Sequence, residues 1–421
     1  MSGSRGLILS APSSGAGKTT VTLGILAALT RAGEQVRAAK SGPDYIDPRF
    51  HAAATGAECL NLDAWAMTPE RVRALAQGPA TLVIEGAMGL FDGAPPDGKG
   101  ATADLARILD VPVVLILDVS KQAHSVAALA AGFANHAPDV RVAGLILNKV
   151  GSSRHEAMLR RALMPLNLPV IGAIPRMTGL EMPSRHLGLV QASEHPDLTD
   201  FIAKAADIAA KNLDLNVLSN LATPLRIGDP SKRLVPPAQS IAIARDEAFA
   251  FAYPHLLNDW RSAGAEISSF SPLADEAPAK ADLVLLPGGY PELHAGRLAS
   301  NGTFLNGLRA ANAIYGECGG YMVLGDGLVD AHGSRHAMAG LLRLETSFAE
   351  RKLHLGYRTL EASQGPFSGT YKAHEFHYAT TLKAKGDPLF HATDAEGTAL
   401  PPMGLRIENV SGSFAHIIDA A

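Results

Sequence analysis

Short apolar runs alternate with longer Ala- and Leu-rich stretches through the first half of the chain. Short runs of this kind predict buried strands, and the longer stretches predict helices. Regular alternation of the two predicts a mostly parallel sheet flanked by helices, which is an α/β fold. The predicted strands cover residues 6–10, 36–39, 81–84, 113–117 and 143–147.

The pattern stops after about Ala222 and resumes at Ser240. Prolines and polar residues cluster in between, which indicates a linker. The predicted organisation is a first domain over residues 1–222, a linker over 223–238 and a second α/β domain over 239–421. Strands of the second domain are expected at 241–244, 283–286 and 313–315.

Composition narrows the class of protein. A net charge of −4, from 37 basic and 41 acidic residues, lacks the basic excess typical of nucleic-acid binders. The two cysteines, Cys59 and Cys318, cannot form a disulfide framework and favour a reducing compartment. No apolar run approaches the roughly 20 residues that span a bilayer, and the first residues lack a signal-peptide pattern. We therefore expect a cytoplasmic protein with small-molecule partners, and neither nucleic-acid nor membrane binding.

A loop of small residues separates the first predicted strand from a long apolar helix at 21–29. This is the context of a phosphate-binding loop, whose backbone N–H groups surround phosphate oxygens. Lys18 would neutralise phosphate charge, and Thr19 would ligate Mg²⁺. Pro12 replaces the usual first glycine, and a glycine-rich turn that binds no phosphate is the alternative. The predicted nucleotide-binding residues of the loop are Ser14, Gly15, Ala16, Gly17, Lys18, Thr19 and Thr20.

Two acidic residues follow the next predicted strands. Asp47 lies a short distance beyond the second strand, and Glu85 directly follows the third. Open α/β sheets bind ligands at the carboxyl ends of their strands, so both carboxylates can converge on a Mg²⁺ ion beside Thr19. Helix capping or a solvated turn is the alternative for each acid taken singly.

Three more residues near this edge are candidate substrate contacts. Asp44 and Tyr45 precede the predicted metal ligand Asp47 and are candidates to orient the acceptor. Asn148 ends another apolar strand, from which its amide can hydrogen-bond an adenine edge. A simple turn-forming role is the alternative for Asn148.

Cys318 is the candidate nucleophile of the second domain. Glycines on both sides permit a tight strand-to-helix turn that exposes the sulfur at a helix N-terminus, where the helix dipole favours thiolate. The N–H of Gly319, with that of Gly288 or Gly289, can stabilise the negative oxygen of a tetrahedral intermediate. A buried structural cysteine is the alternative.

The thiol needs a base, and several histidines lie downstream. His416 is our candidate, because a strand or loop near the chain end can return it to the sulfur. His374 and His377 compete for the same role, or they hold the domain together or line its interface. The pattern alone leaves this choice open.

Together these segments resemble the cobyrinic acid a,c-diamide synthases, a family that includes the hydrogenobyrinic acid enzymes of vitamin B12 biosynthesis. The resemblance covers nearly the whole chain. It implies a dethiobiotin-synthetase-like P-loop domain that binds ATP, joined to a class I glutaminase domain with a flavodoxin-like α/β fold. The segments that carry it are residues 14–20, 42–47, 85–93, 185–189, 287–292, the turn at Cys318, and 374–378.

The resemblance also implies that Cys318 is the nucleophile and His416 its activating base. Class I glutaminases carry a carboxylate two residues after this histidine, where the chain has Ile418. Asp419 is one position too late to be assigned that role. We therefore expect a Cys318/His416 dyad.

The activity implied by the resemblance is that of a glutamine-hydrolysing ligase. It would use ATP and Mg²⁺ to amidate the a- and c-acetate carboxylates of cobyrinic or hydrogenobyrinic acid through an acyl phosphate. The implied partners are glutamine, ATP and a corrinoid tetrapyrrole carboxylate. A homodimer is expected, because soluble enzymes commonly form symmetric dimers.

Three alternatives stay open at this point. A cobyric acid synthase would amidate other carboxylates of the ring. A partition-type P-loop ATPase would act as a switch on a protein or DNA partner, but such proteins usually carry a second lysine early in the loop, where this chain has Ser13. The third is a glutaminase-like domain that only binds a partner.

Overall fold

The computed structural model of the protein describes residues 4–176, 184–185, 188–189, 191–228 and 231–421. It divides into two compact units, Met1–Lys232 and Arg233–Ala421, which are described separately below. Two residues of the segment 185–189, His186 and Leu187, lie outside the described residues. The same is true of Asp229 and Pro230 in the predicted linker.

A parallel sheet forms the centre of the first unit. Its strands are β1 (Arg5–Ser10), β2 (Val36–Ser41), β3 (Leu60–Leu62), β4 (Thr81–Glu85), β5 (Val113–Asp118), β6 (Val142–Val150) and β7 (Val170–Pro175). They follow the order β3-β2-β4-β1-β5-β6-β7. Two short strands, β8 (Ser184–Arg185) and β9 (Gly188–Leu189), pair with each other, and β10 (Thr223–Pro224) pairs antiparallel with β1. Structure of the first unit thus continues past residue 222.

Eight helices accompany this sheet among the described residues. They are α1 (Lys18–Arg31), α2 (Asp47–Thr55), α3 (Pro69–Ala76), α4 (Thr102–Leu109), α5 (Val126–Asn135), α6 (Ser153–Leu163), α7 (Leu198–Asn212) and α8 (Leu215–Leu221). One-turn 3₁₀ helices cover Met164–Leu166 and Ala192–Glu194. Every residue of α1 from 21 to 29 is buried, as its apolar sequence predicts. A Cβ at Gly24 would lie 2.6 Å from the Ala205 carbonyl oxygen, so glycine allows α1 and α7 to pack closely.

The second unit contains a six-stranded sheet of order β12-β11-β13-β14-β23-β22. Its strands are β11 (Ser240–Ala244), β12 (Glu266–Phe270), β13 (Leu283–Leu286), β14 (Ile314–Glu317), β22 (Leu405–Ile407) and β23 (Val410–Ser413), parallel except for the β22–β23 pair. The helices are α9 (Pro254–Ser262), α10 (Ala295–Ser300), α11 (Gly302–Arg309) and α12 (Gly319–Leu324), with 3₁₀ turns at Pro272–Ala274 and Pro291–Leu293.

Two four-stranded sheets complete the second unit. The first contains β15 (Gly327–Val329), β16 (Arg335–Ala337), β17 (Arg343–Ser347) and β20 (Thr380–Lys385). The second contains β18 (His354–Ala362), β19 (Gly369–His377), β21 (His391–Thr393) and β24 (Ala415–Ala420). The sequence pattern did not predict these sheets. Their strands lack apolar runs, and five of the six residues of β20 are exposed.

The predicted α/β class is confirmed in both units, and every predicted strand is present. The division at residue 232 falls within the segment predicted as a linker. Among the described residues, no helix has the length and apolar character required to cross a bilayer. The phosphate loop follows the carboxyl end of β1 and Cys318 follows that of β14, and open sheets bind ligands at this edge.

Candidate active sites

The phosphate loop connects β1 to α1 in a conformation that glycine permits. Gly15 and Gly17 have positive φ angles of 78° and 86°, and α1 begins directly after Gly17 without a side-chain cap. The first N–H groups of a helix have no partner within it, so this helix end can bind phosphate. Lys18 folds back over the loop, since its Nζ donates to the Ser13 carbonyl oxygen at 3.1 Å.

A cavity of about 880 Å³ lies at this end of the sheet. Its size falls within the range of small-molecule sites, about 300–1,000 Å³. The predicted loop residues line it with the exception of Ala16. Further basic residues at the cavity are Lys121, Lys149 and Arg176. The first unit therefore has a basic cavity suited to a polyphosphate.

Thr19, Asp47 and Glu85 converge as expected. The Thr19 hydroxyl donates to Asp47 Oδ2 at 3.1 Å and to Glu85 Oε1 at 2.8 Å. Lys40 and His51 complete the cluster, although the sequence did not single them out. Lys40 Nζ lies 2.6 Å from Asp47 Oδ2 and 2.9 Å from Glu85 Oε1, and His51 Nε2 contacts Glu85 Oε2. Lys40 lies next to the carboxyl end of β2, the sheet edge where ligands bind, a signal that could have identified it.

Burial and charge act against each other in this cluster. Burial disfavours the charged form of Lys40, but the Asp47 and Glu85 carboxylates outweigh it and raise the pKa of Lys40. Burial likewise opposes ionisation of Glu85, but Lys40 and His51 hold its pKa below the usual range. For Lys18, burial and then the nearby Lys40 charge lower the pKa. The cluster is thus a buried ion network beside the phosphate loop.

Asp44 and Tyr45 lie at the start of α2. The two oxygens of Asp44 accept from the N–H groups of Ile46 and Asp47, each at 3.1 Å, so this side chain caps the helix. Burial and then the Asp47 charge raise the pKa of Asp44 to about 7. Tyr45 is half-buried beside it. A contact of either residue with the acceptor stays a prediction.

Asn148 is placed under the phosphate loop. Its Nδ2 donates to the Ala16 carbonyl oxygen at 2.8 Å, and its Oδ1 accepts from the Lys149 N–H at 3.0 Å. In this structure the amide therefore supports the loop, although the residue also borders the nucleotide cavity. Lys149 pairs with Asp118 at 2.7 Å and donates to the Gly15 carbonyl oxygen at 3.2 Å. The sequence missed Asp118, which ends β5.

In the second unit, Cys318 occupies the strained turn between β14 and α12. Its φ of 47° and ψ of −104° are rare for a residue with a side chain. The Cys318 N–H donates to the Ser413 carbonyl oxygen at 2.8 Å, which ties the turn to β23. A Cβ at Gly320 would lie 2.0 Å from the Leu286 carbonyl oxygen, so glycine is needed for the helix to start this close to the sheet.

The expectation that the turn exposes the sulfur is wrong for this structure. Cys318 is buried, and burial, followed by the Glu292 carboxylate, raises the pKa of its thiol above the ordinary value. The helix has only six residues, and hydrogen bonding to the Gly319 N–H does not offset the burial. The thiol is therefore neutral until a base removes its proton.

The three predicted oxyanion-hole glycines meet at the cysteine turn. A Cβ built on Gly319 would lie 3.2 Å from the backbone nitrogen of Gly289, so the two backbones are adjacent. A Cβ on Gly288 would collide with the imidazole of His416, 2.2 Å from its Cε1. The absent side chain of Gly288 is what allows His416 to approach this turn.

His416 lies in β24, buried beside the strand that leads to Cys318. Its Nδ1 is 3.8 Å from Glu317 Oε2, and the other oxygen of Glu317 accepts from the Ile417 N–H at 3.1 Å. Burial and then the His374 charge lower the pKa of His416 to about 3. Burial raises the pKa of Glu317 to about 8, although the hydrogen bond from the Ile417 N–H acts to lower it. His416 is thus a neutral base with a protonated acid beside it at neutral pH.

The competing histidines lie on β19, next to the same turn. His374 is opposite His416 in the β19–β24 pair, and Cys318 Sγ is 3.8 Å from the Phe376 carbonyl oxygen. His377 Nε2 is hydrogen-bonded to Glu375 Oε1 at 3.0 Å, and Arg358 pairs with the other oxygen of Glu375 at 2.8 Å. Glu375 thus links His377 to Arg358, a contact that sequence spacing did not indicate.

Family comparisons divide the chain in the same way as the geometry. Residues 7–190 match the CobQ/CobB/MinD/ParA nucleotide binding domain, and residues 240–421 match the CobB/CobQ-like glutamine amidotransferase domain. A P-loop nucleotide-binding domain and a glutamine amidotransferase domain in one chain define a glutamine amidotransferase.

Relatives match over nearly the full length. The chain is 57% identical to a hydrogenobyrinate a,c-diamide synthase of Brucella anthropi, over 99% of this chain and 98% of that protein. It is 53% identical to the synthase of the same name from Rhizobium meliloti, over 98% of this chain and 99% of that protein. The chain therefore belongs to the hydrogenobyrinate a,c-diamide synthase family.

The strain at Cys318 predicts a difference between two inactive variants. Cys318→Gly and Cys318→Ala both remove the thiol, but only glycine adopts the observed φ and ψ without strain. We expect the free energy of unfolding of Cys318→Gly to be roughly 1 kcal/mol larger than that of Cys318→Ala. Urea denaturation of both variants measures this, and equal or reversed stabilities would contradict strain at the turn.

Proposed function

We propose that this chain amidates the a- and c-acetate carboxylates of a corrin acid, hydrogenobyrinic or cobyrinic acid, with ammonia from glutamine and energy from ATP. One observation carries the proposal: one chain holds a phosphate loop with a buried Lys40–Asp47–Glu85 cluster and a strained Cys318 whose neighbour Glu317 lies 3.8 Å from His416 Nδ1. The name that the relatives share supports the acceptor.

The acidic cluster fits Mg²⁺. Thr19, Asp47 and Glu85 offer a hydroxyl and two carboxylates, the hard oxygen donors that this ion prefers. Lys40 contacts the same carboxylate oxygens and neutralises them in the protein alone. When bound, the ion would supply positive charge to the phosphate oxygens, with Thr19, Asp47 and Glu85 as its protein ligands.

The first chemical step is phosphoryl transfer to the acceptor. A carboxylate oxygen attacks the γ-phosphorus of ATP, the bond to the β-phosphate oxygen breaks, and ADP leaves. Lys18, Lys40 and the N–H groups at the start of α1 stabilise the charge on the transferred group. Asp44 and Tyr45 are proposed to orient the acceptor, and Asn148 to reach the adenine once the loop binds phosphate. The product is an acyl phosphate.

The second unit supplies the nitrogen. His416 takes the thiol proton as sulfur attacks the glutamine amide carbon, and the N–H groups of Gly289 and Gly319 stabilise the negative oxygen. His416 returns the proton to the departing ammonia, and water then hydrolyses the thioester. Ammonia attacks the acyl phosphate, phosphate leaves and the amide forms.

Glu317 is proposed as the orienting group of this glutaminase, in place of the carboxylate expected two residues after His416. It approaches the Nδ1 side of the imidazole at 3.8 Å, while the Ile417 N–H fixes its other oxygen. Once ionised, Glu317 would accept a hydrogen bond from Nδ1 and leave the lone pair of Nε2 to the thiol, and such bonds often tighten only when substrate binds.

The two half-reactions predict a separable defect. Cys318→Ala should lose amidation with glutamine by at least roughly a thousandfold but retain amidation with ammonium chloride, because only ammonia production needs the thiol. Mass spectrometry of the corrin product measures both reactions, with wild type as the control. Loss of the ammonia-dependent reaction as well would contradict this division.

Two substitutions separate the effect of the Glu317 charge from that of its acceptor oxygen. Glu317→Ala should lower kcat for glutamine hydrolysis on the order of a hundredfold, whereas Glu317→Gln keeps an acceptor oxygen and should lose less. Because the acid titrates at about 8, Glu317→Gln should also remove an ionisation near that pH from the profile of kcat/KM for glutamine.

Glu345→Ala is the matched control. Glu345 is a carboxylate of the same unit, but it lies in β17, where it pairs with Arg335 at 2.7 Å. Normal glutamine hydrolysis in Glu317→Ala would rule out the orienting role. An equal loss of ammonia-dependent amidation would show a general folding defect instead.

A further inference from the structure

Helix α5 of the first unit has an unusual surface. Its sequence, VAALAAGFAN, contains no charged residue, yet among its residues only Val126 and Ala130 are buried. Leu129 and Phe133 are half-buried, and Gly132 between them is exposed. An uncharged, apolar helix surface that faces solvent indicates a binding site rather than a core element.

A second cavity, of about 390 Å³, lies against this surface. Phe91 from the loop after β4 stacks on Phe133, with ring centroids 5.7 Å apart and planes 25° apart. His136 meets Phe91 edge to face, with centroids 4.6 Å apart. We call the group Phe91, Leu129, Phe133 and His136 the aromatic shelf.

One loop borders both the shelf and the phosphate site. The loop that carries Phe91 begins at Glu85, and its residue Met88, which is 55% exposed, lines the nucleotide cavity. The next residue after Phe91, Asp92, borders the shelf and also acts electrostatically on Lys18. Its carboxylate accepts from the Gly89 N–H at 3.0 Å, which fixes the loop. A ligand on the shelf is therefore close to the lysine of the phosphate loop.

These observations restrict the chemistry of the ligand. It must present a flat apolar surface, because rings and an uncharged helix line the cavity. To reach the phosphate site it must also extend a polar group past Asp92, which acts electrostatically on Lys18. A conjugated macrocycle with carboxylate side chains at its rim has both properties.

We propose that the aromatic shelf binds one face of the acceptor macrocycle and so places an acetate side chain beside the γ-phosphate of ATP. The inference rests on the proposed function, which names the acceptor but leaves its binding site open. Ring stacking and burial of the apolar face of the macrocycle supply affinity. The loop from Glu85 to Asp92 sets the distance between the macrocycle and the phosphate.

Leu129→Glu tests the shelf directly. It places a carboxylate on the apolar surface, where it opposes both ring burial and the carboxylates of the ligand. We expect the Kd for hydrogenobyrinic acid to rise at least about tenfold, with binding of ATP and hydrolysis of glutamine unchanged. Equilibrium dialysis read by the ring absorbance measures this, and Phe133→Ala provides a second, milder variant.

Met164→Glu is the matched control, because Met164 is an apolar residue of the same unit that is 69% exposed and lies outside the shelf. Unchanged acid binding in both Leu129→Glu and Phe133→Ala, while wild type amidates the acid, would overturn the shelf alone. Failure of wild type to amidate any corrin acid would overturn the proposed function. Sedimentation measures whether the wild type is a dimer. If Leu129→Glu dissociated such a dimer and left acid binding intact, the shelf would be a subunit interface, and the proposal would be overturned.

Discussion

The buried contact of Lys40 with Asp47 and Glu85 is the interaction on which the first unit depends. It joins residues that follow two neighbouring strands, β2 and β4, to Thr19 at the start of α1. Removing one member of such a network leaves an uncompensated buried charge, which costs about 3–5 kcal/mol. The network therefore fixes the positions of Thr19, Asp47 and Glu85 beside the phosphate loop before any ligand arrives.

The second unit also places its candidate residues at a strand end, but there the constraint is backbone strain and not buried charge. The proposed nucleophile, Cys318, lies in a strained turn after β14, and glycines at 288 and 320 make room for the His416 imidazole and for the helix. Burial raises the pKa of the Cys318 thiol and lowers that of His416, so both side chains are neutral in the protein alone. Backbone strain and burial are thus the two physical constraints that shape the cysteine turn.

The α/β class and most site residues could be predicted because both depend on short-range patterns. Apolar runs identify buried strands, and the loop from Ser14 to Thr20 and the turn at Cys318 lie directly at strand ends. Lys40, His51, Glu317 and Glu375 were missed because their roles depend on pairing between segments far apart in the chain. The two four-stranded sheets were missed because most of their strands are short or polar and show little apolar periodicity.

The central claim is that both units act in one reaction that transfers the amide nitrogen of glutamine to a corrin acid. The most direct test is to supply Mg·ATP, glutamine labelled with ¹⁵N in its amide, and hydrogenobyrinic or cobyrinic acid to the intact chain, and to determine the product mass. We expect two amidations of one acid, each carrying ¹⁵N and each accompanied by one ADP. An unchanged acid, or ATP and glutamine hydrolysis without labelled product, would contradict it.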